Sequence, residues 1–200
     1  MKKRALIYAA LSAITLCAGE RMNVSVCNLG QIPEPIVARA RHEVSLVFRS
    51  LDVEVVWSEC DEGPDATQAA RQHWYTIRLR NDAPPRTRGP MSLDAMGIAY
   101  VSGDAQGYLA DANWKMIQAT AGPAPPDAAV LLGCVMAHEL GHLLLGPGHI
   151  PSGIMRAVWK SNDLSAALQR WLTFNTAQGK MIRCKLRTKI GEAAGCVSIE

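Results

Sequence analysis

A mixed α/β (α+β) fold is expected, with a twisted sheet and a small helical lobe at the C-terminal end. Three observations predict it. Short segments of the N-terminal half alternate apolar and polar residues, the period of a half-buried strand. Between and after them apolar residues recur every three to four positions, the period of an amphipathic helix. The chain has 200 residues, 48% of them hydrophobic, enough for one domain with a substantial core.

Met22, Val24 and Val26 alternate with Asn23 and Ser25, which predicts a strand ending at Cys27. Glu34 to Leu51 opens with Pro35, which suits a first helical turn, and repeats apolar residues at Val37, Ala40, Val44, Val47, Phe48 and Leu51. His42 within it reads as a helix-surface residue. Val53, Val55 and Trp57 predict a second strand; Tyr75, Ile77 and Leu79 predict a third, with His73 at its start read as a surface residue. Asp61 to Gln72 is polar, contains Gly63-Pro64 and reads as a loop or short helix. Asn81 to Asp94, rich in Pro, Arg and Gly, reads as a loop, and Gly97 to Ser102 as a short fourth strand. Gly103 to Asp127 reads as a long connection holding a helix at Ala112 to Ala119. Asp127, after Pro125-Pro126, is the expected N-cap of a long apolar helix. Further on, Ser161 or Asn162 is expected to cap a helix carrying Leu164, Ala167, Leu168, Trp171 and Leu172. Asn175 with Gln178 forms a capping box for a last helix through Met181 and Cys184.

The chemistry concentrates in His138-Glu139-Leu140-Gly141-His142-Leu143-Leu144-Leu145-Gly146-Pro147-Gly148-His149. On a helix, His138 and His142 leave the same face one turn apart, so one tetrahedral zinc ion can bridge them. Glu139 lies about 100° round the helix from His138, placed to hold a water rather than to ligate. Gly146 can end the helix, because glycine enters positive φ without strain. The chain can then return and bring in His149 as a third nitrogen. Three protein ligands and one open position suit a catalytic zinc site, not a structural one. In such a site Glu139 is the general base and proton carrier, and Met155, which cannot do acid–base work, an apolar floor.

These residues resemble the metzincin metallopeptidases, whose pattern is H-E-x-x-H-x-x-G-x-x-H followed by a Met-turn. The resemblance implies His138, His142 and His149 as zinc ligands, Glu139 as general base, Gly146 as the turn glycine and Met155 as the Met-turn residue. Three residues separate His142 from Gly146, one more than in the family pattern, while the spacing from Gly146 to His149 is kept. A helix one residue longer, with the turn intact, is therefore expected. The resemblance also implies a metzincin-like fold, with the zinc ligands on its active-site helix. It further implies an edge strand that pairs with extended substrate, here Ile98, Ala99, Tyr100 and Val101; addition to a sheet edge is a general mode of peptide capture.

Met1-Lys2-Lys3-Arg4, the apolar run Ala5 to Leu16 and Cys17-Ala18-Gly19 read as a secretory signal peptide over residues 1–19. An uncleaved anchor is the alternative; lipidation at Cys17 is disfavoured by bulky Leu16 before it. The domain expected after cleavage is 20–200, with an upper lobe over about 20–146 and a lower lobe over about 147–200. The first strand starts almost at the cleavage point, leaving no room for a long pro-segment. Residues 1–19 carry three positive charges and no negative ones, so the formal +3 (21 basic, 18 acidic) becomes zero (18 and 18). The basic balance is thus no argument for a nucleic-acid partner, and Arg183, Lys185, Arg187 and Lys189 read as a solvated face. Cys27 with Cys60, and Cys184 with Cys196, are candidate disulfide pairs whose connectivity spacing leaves open; Cys134 reads as a buried free thiol.

The expectation is a secreted or periplasmic zinc-dependent endopeptidase with one Zn2+ per chain, acting on a protein or peptide, with no nucleic acid and no stable membrane association after cleavage. Three rivals stand beside it: an H-E-x-x-H peptidase whose third ligand is Asp163 or Glu192, a zinc-binding module without hydrolytic activity, and an interaction protein without metal.

Overall fold

The computed structural model describes residues 19–60, 73–81, 95–102, 107–123 and 125–188. The readings of the signal segment up to residue 18, of the loops over 61–72 and 82–94, and of Glu192 and Cys196 lie outside the described residues.

The chain runs β1 (Glu20–Asn28), α1 (Glu34–Arg49), β2 (Val53–Glu59), β3 (Trp74–Arg80), β4 (Gly97–Tyr100), β5 (Leu109–Asn113), α2 (Trp114–Ala121), α3 (Pro125–Leu145), α4 (Ser161–Leu168) and α5 (Thr176–Arg187). The five strands form one mixed α/β sheet in the order β2-β1-β3-β5-β4. Four are parallel, and β4 is antiparallel to β5 at the edge. Parallel neighbours need crossover connections, and α1 supplies the one from β1 to β2.

Register shows which residues share a face. Val24 lies opposite Tyr75, Val26 opposite Ile77, Ile77 opposite Ala110, Leu79 opposite Ala112, Ala99 opposite Ala110 and Gly97 opposite Ala112. This face packs against α1 and α3, and its members on β1, β3 and β5 are buried. The two helices pack tightly on each other at Gly133, where a β-carbon would fall 2.7 Å from Glu43 Cβ and 2.8 Å from the Ala40 carbonyl oxygen. The opposite sheet face is polar but satisfied: Ser25 is bonded to Ser58, and Asp111 accepts two bonds from Arg78 and one from Tyr100.

α4 and α5 form the helical C-terminal part. Asn175 accepts from the Gln178 N–H at 2.9 Å and Gln178 Oε1 accepts from the Asn175 N–H at 3.0 Å, the expected capping box. Arg183 donates to the Leu51 carbonyl and Lys185 to that of Leu143, tying α5 to the C-terminal ends of α1 and α3. Arg170 forks onto buried Glu43 of α1 at 2.9 and 3.1 Å.

Several local expectations are corrected. Ala112 belongs to β5, and the helix that follows starts at Trp114 with Asn113 as its N-cap. Leu-Ala-Asp-Ala-Asn carries little strand propensity; partners on β3 and β4 decide its conformation. α3 starts at Pro125, so Asp127 sits in its first turn instead of capping it. Lys160, not Ser161 or Asn162, precedes α4, and the Asp163 carboxylate accepts from its N–H at 2.8 Å. His73 is half-buried with φ 49°, and burial lowers its pKa, whereas His42 is exposed as expected. Cys27 and Cys60 are disulfide-bonded, Cys184 is disulfide-bonded as well, and Cys134 is a buried free thiol. Asp127–Leu145 is apolar and long enough to cross a membrane, but all of it except its two end residues is buried inside the fold, as befits a core helix.

Candidate active site

α3 carries the site because it is buried almost all round, so its polar residues exist only where something satisfies them. His138 Nδ1 lies 2.6 Å from the Ile154 carbonyl oxygen, and His142 Nδ1 lies 3.0 Å from that of Gly146. A carbonyl only accepts, so both Nδ1 atoms carry the proton and both Nε2 atoms present lone pairs. His142 Nε2 is 3.0 Å from His138 Nε2 and 3.1 Å from His149 Nε2. Burial lowers all three pKa values, that of His138 to about 4, so the imidazoles are neutral near pH 7.

Converging lone pairs repel unless a cation sits among them. Zinc held tetrahedrally at about 2.0–2.1 Å from each nitrogen would separate ligand atoms by roughly 3.3 Å. The two separations from His142 Nε2 are slightly shorter, and all three ligand atoms lie within 4.8 Å of one another, so the donor set fits zinc. The carbonyls that fix the Nδ1 protons also orient the rings, the usual supporting arrangement at a histidine-bound metal.

The third imidazole arrives through the turn. α3 ends at Leu145, one residue beyond where the family pattern would end it, and Gly146 takes φ 94° while its N–H bonds to the His142 carbonyl at 2.9 Å. Pro147-Gly148 then leads to His149. The extra residue is absorbed by the helix, and His149 joins the cluster. Asp163 is engaged elsewhere: it pairs with Arg156 at 3.0 Å and caps α4.

Glu139 is buried, and burial together with the nearby Asp111 charge raises its pKa to about 8. Its carboxyl group lies against Gly97 of β4. Met155 is buried, its carbonyl accepts from the Ile150 N–H, and its sulfur packs with Phe174 against Gly141, where a side chain would not fit. That places Met155 beneath α3 at Gly141, the residue next in sequence to His142.

The site opens into a cleft of about 700 Å³. Met96, Gly97, Ile98 and Ala99 form one wall, and Pro147 with Arg156 to Trp159 forms the other. Among the described residues β4 has one paired side and one free edge. Ile98, Ala99 and Tyr100 lie in it, and Val101 lies just past its end. Tyr100 donates to Asp111 at 2.8 Å, and Arg78 holds Asp111 from β3, so the edge strand is anchored from behind.

Three contributors were not read from the sequence. Trp159 donates to the same Ile154 carbonyl that His138 uses and stands edge-on to the His138 ring at 5.8 Å. Gly97 and Phe174 act through close approach, which leaves no spacing signal; an isolated glycine opening a strand was the one available hint.

The fold is similar to that of archaemetzincin from Methanopyrus kandleri, with 17% sequence identity over 88% of this chain and 99% of that one and a TM-score of 0.53. A looser likeness is to metalloproteinase-II from Bacteroides fragilis, with 13% identity over 78% of this chain and 54% of that one and a TM-score of 0.43. No protein-family model matches the chain, and no curated protein matches it in sequence. The class defined here is a mixed α/β chain of archaemetzincin-like fold carrying three convergent imidazoles beside a buried glutamate.

Proposed function

We propose that the chain is a zinc-dependent endopeptidase of metzincin type, exported from the cell, with His138, His142 and His149 as zinc ligands and Glu139 as general base. One observation carries the reading: three neutral imidazoles converge on one point, beside a buried carboxyl group, at the floor of a cleft with a free strand edge. A structural zinc site needs no such carboxyl group and no open cleft.

Zinc, when bound, supplies Lewis-acid polarisation of a substrate carbonyl and makes an attacking water more acidic. The free edge of β4 binds the substrate backbone in extended form. Glu139 takes the proton of the attacking water and passes it to the departing amine. The raised pKa belongs to the zinc-free site, where Glu139 holds its proton near neutrality; the positive charge of a bound zinc ion would lower it and leave the carboxylate able to accept a proton. Trp159 stands edge-on to the His138 ring, and Met155 with Phe174 fills the space under Gly141, between the two helical histidines in sequence. The disulfide between Cys27 and Cys60 favours an oxidising compartment, which agrees with export through residues 1–19 as a cleaved signal.

The test is zinc content and peptide hydrolysis of the purified mature protein, His149→Ala and Glu139→Gln side by side. The expected result is about one zinc per chain in the wild type, sharply less in His149→Ala, and zinc retained in Glu139→Gln with hydrolysis reduced about 10²–10⁴-fold. Zinc kept by His149→Ala would move the third ligand elsewhere. Equal hydrolysis by Glu139→Gln would remove Glu139 as the base. A folded wild type that holds zinc but cleaves no peptide would favour the binding module.

A further inference from the structure

The geometry points to Gly97 as a positioning residue that sets where the Glu139 carboxyl group lies, an inference that rests on the peptidase reading. Gly97 is the first residue of β4, and it faces α3 from the edge that walls the cleft. A β-carbon placed on it would fall 2.9 Å from both Cγ and Cδ of Glu139, and closer still to Oε1. Real side chains essentially never stand that close, so the base occupies its place only because position 97 has no side chain.

The backbone does not explain the glycine. Its φ is not positive, unlike those of Gly122, Gly146 and Gly153, so any L-residue can adopt this conformation. Glycine at a strand position is disfavoured by its flexibility and by the packing it forgoes. The contact with Glu139 is therefore what this residue serves. Its strand is tied to β5: Ala112 pairs with Gly97 across the ladder, and the Asn113 N–H donates to the Met96 carbonyl at 2.8 Å. With β4 paired to β5 and α3 packed against it, the flexible end of Glu139 is what gives way, so a methyl group at 97 displaces the carboxyl group from this place.

The three atoms nearest a β-carbon at position 97 all belong to Glu139, so the change strikes the base before the metal ligands and the two effects can be read separately. The experiment compares wild type, Gly97→Ala, Glu139→Ala and the double variant. Gly97→Ala is expected to keep its zinc and to lose at least about tenfold in kcat while KM changes less than about twofold, as for a group needed only in the transition state. The thermal midpoint is expected to fall in Gly97→Ala. In the Glu139→Ala background the same change is expected to be neutral or to raise the midpoint, because the colliding carboxyl group is gone and alanine is the better strand residue. Should Gly97→Ala fail to fold, recovery of folding in the double variant gives the same answer. Unchanged kcat in Gly97→Ala, or equal destabilisation in both backgrounds, overturns the inference and leaves ordinary helix–sheet packing. A wild type without hydrolysis overturns the peptidase reading instead, and the stability comparison still decides whether Gly97 and Glu139 meet.

Discussion

On β1 and β3 the sheet face toward the helices carries Met22, Val24, Val26, Tyr75, Ile77 and Leu79; on β5 and β4 it carries Ala110, Ala112, Gly97 and Ala99. The first half fills the core with large, fully buried apolar side chains. The second half is stripped nearly to backbone, and α3 approaches it closely enough for Glu139 to rest on β4. One sheet thus does two jobs. Bulk gives stability where no chemistry occurs, and lack of bulk gives position where it does.

Three changes would break or sharpen that contrast, the largest first. Met22→Ala empties a fully buried place on β1, far from the cleft, and should cost about 2–5 kcal/mol in chemical denaturation. Zinc content and activity per folded molecule should not change; a loss of either would mean that the halves are not separable. Ala110→Val adds bulk on the stripped half and should cost less, about 1–3 kcal/mol, through overpacking against α3. Here activity should fall more steeply than stability, and an undisturbed kcat would argue that the small residues are incidental.

The third change concerns pH. In zinc-free protein Glu139 has a folded pKa of about 8 against 4.5 for the unfolded chain. Between those values the folded state holds a proton that the unfolded state has lost, so stability falls as pH rises, by at most about 1.4 kcal/mol per pH unit. That contribution is complete below pH 4.5 and gone above about pH 8. Glu139→Gln should remove this slope, read as the difference between the denaturation midpoints of variant and wild type at pH 6 and pH 7. Parallel pH curves would show that Glu139 is ionised in the fold.

Much of this was legible in the residues. Alternation marked β1, β2 and β3, and the three-to-four period marked α1, because large apolar residues fall on the core side of each; β1 is covered on its other face as well, at Ser25 and Cys27. The capping box of α5 was legible because it is a contact between residues three apart. The histidine motif was legible because helical geometry alone puts His138 and His142 on one face. β5 was not: it exists because β3 and β4 pair with it, and its central Asp111 is tolerated in the interior through Arg78, 33 residues away, and Tyr100.

The residues by themselves determined what one turn or one strand can decide: which segments bury a face, that two imidazoles and a carboxyl group share a helix, and that Gly146 can turn the chain. Tertiary structure alone decided what depends on distant partners meeting. Ile154 fixes the His138 proton from 16 positions away, Gly97 leaves room for Glu139, and Phe174 and Met155 fill the space under Gly141. Local periodicity is a property of neighbours along the chain, whereas close approach is a property of surfaces that touch only after the chain has folded.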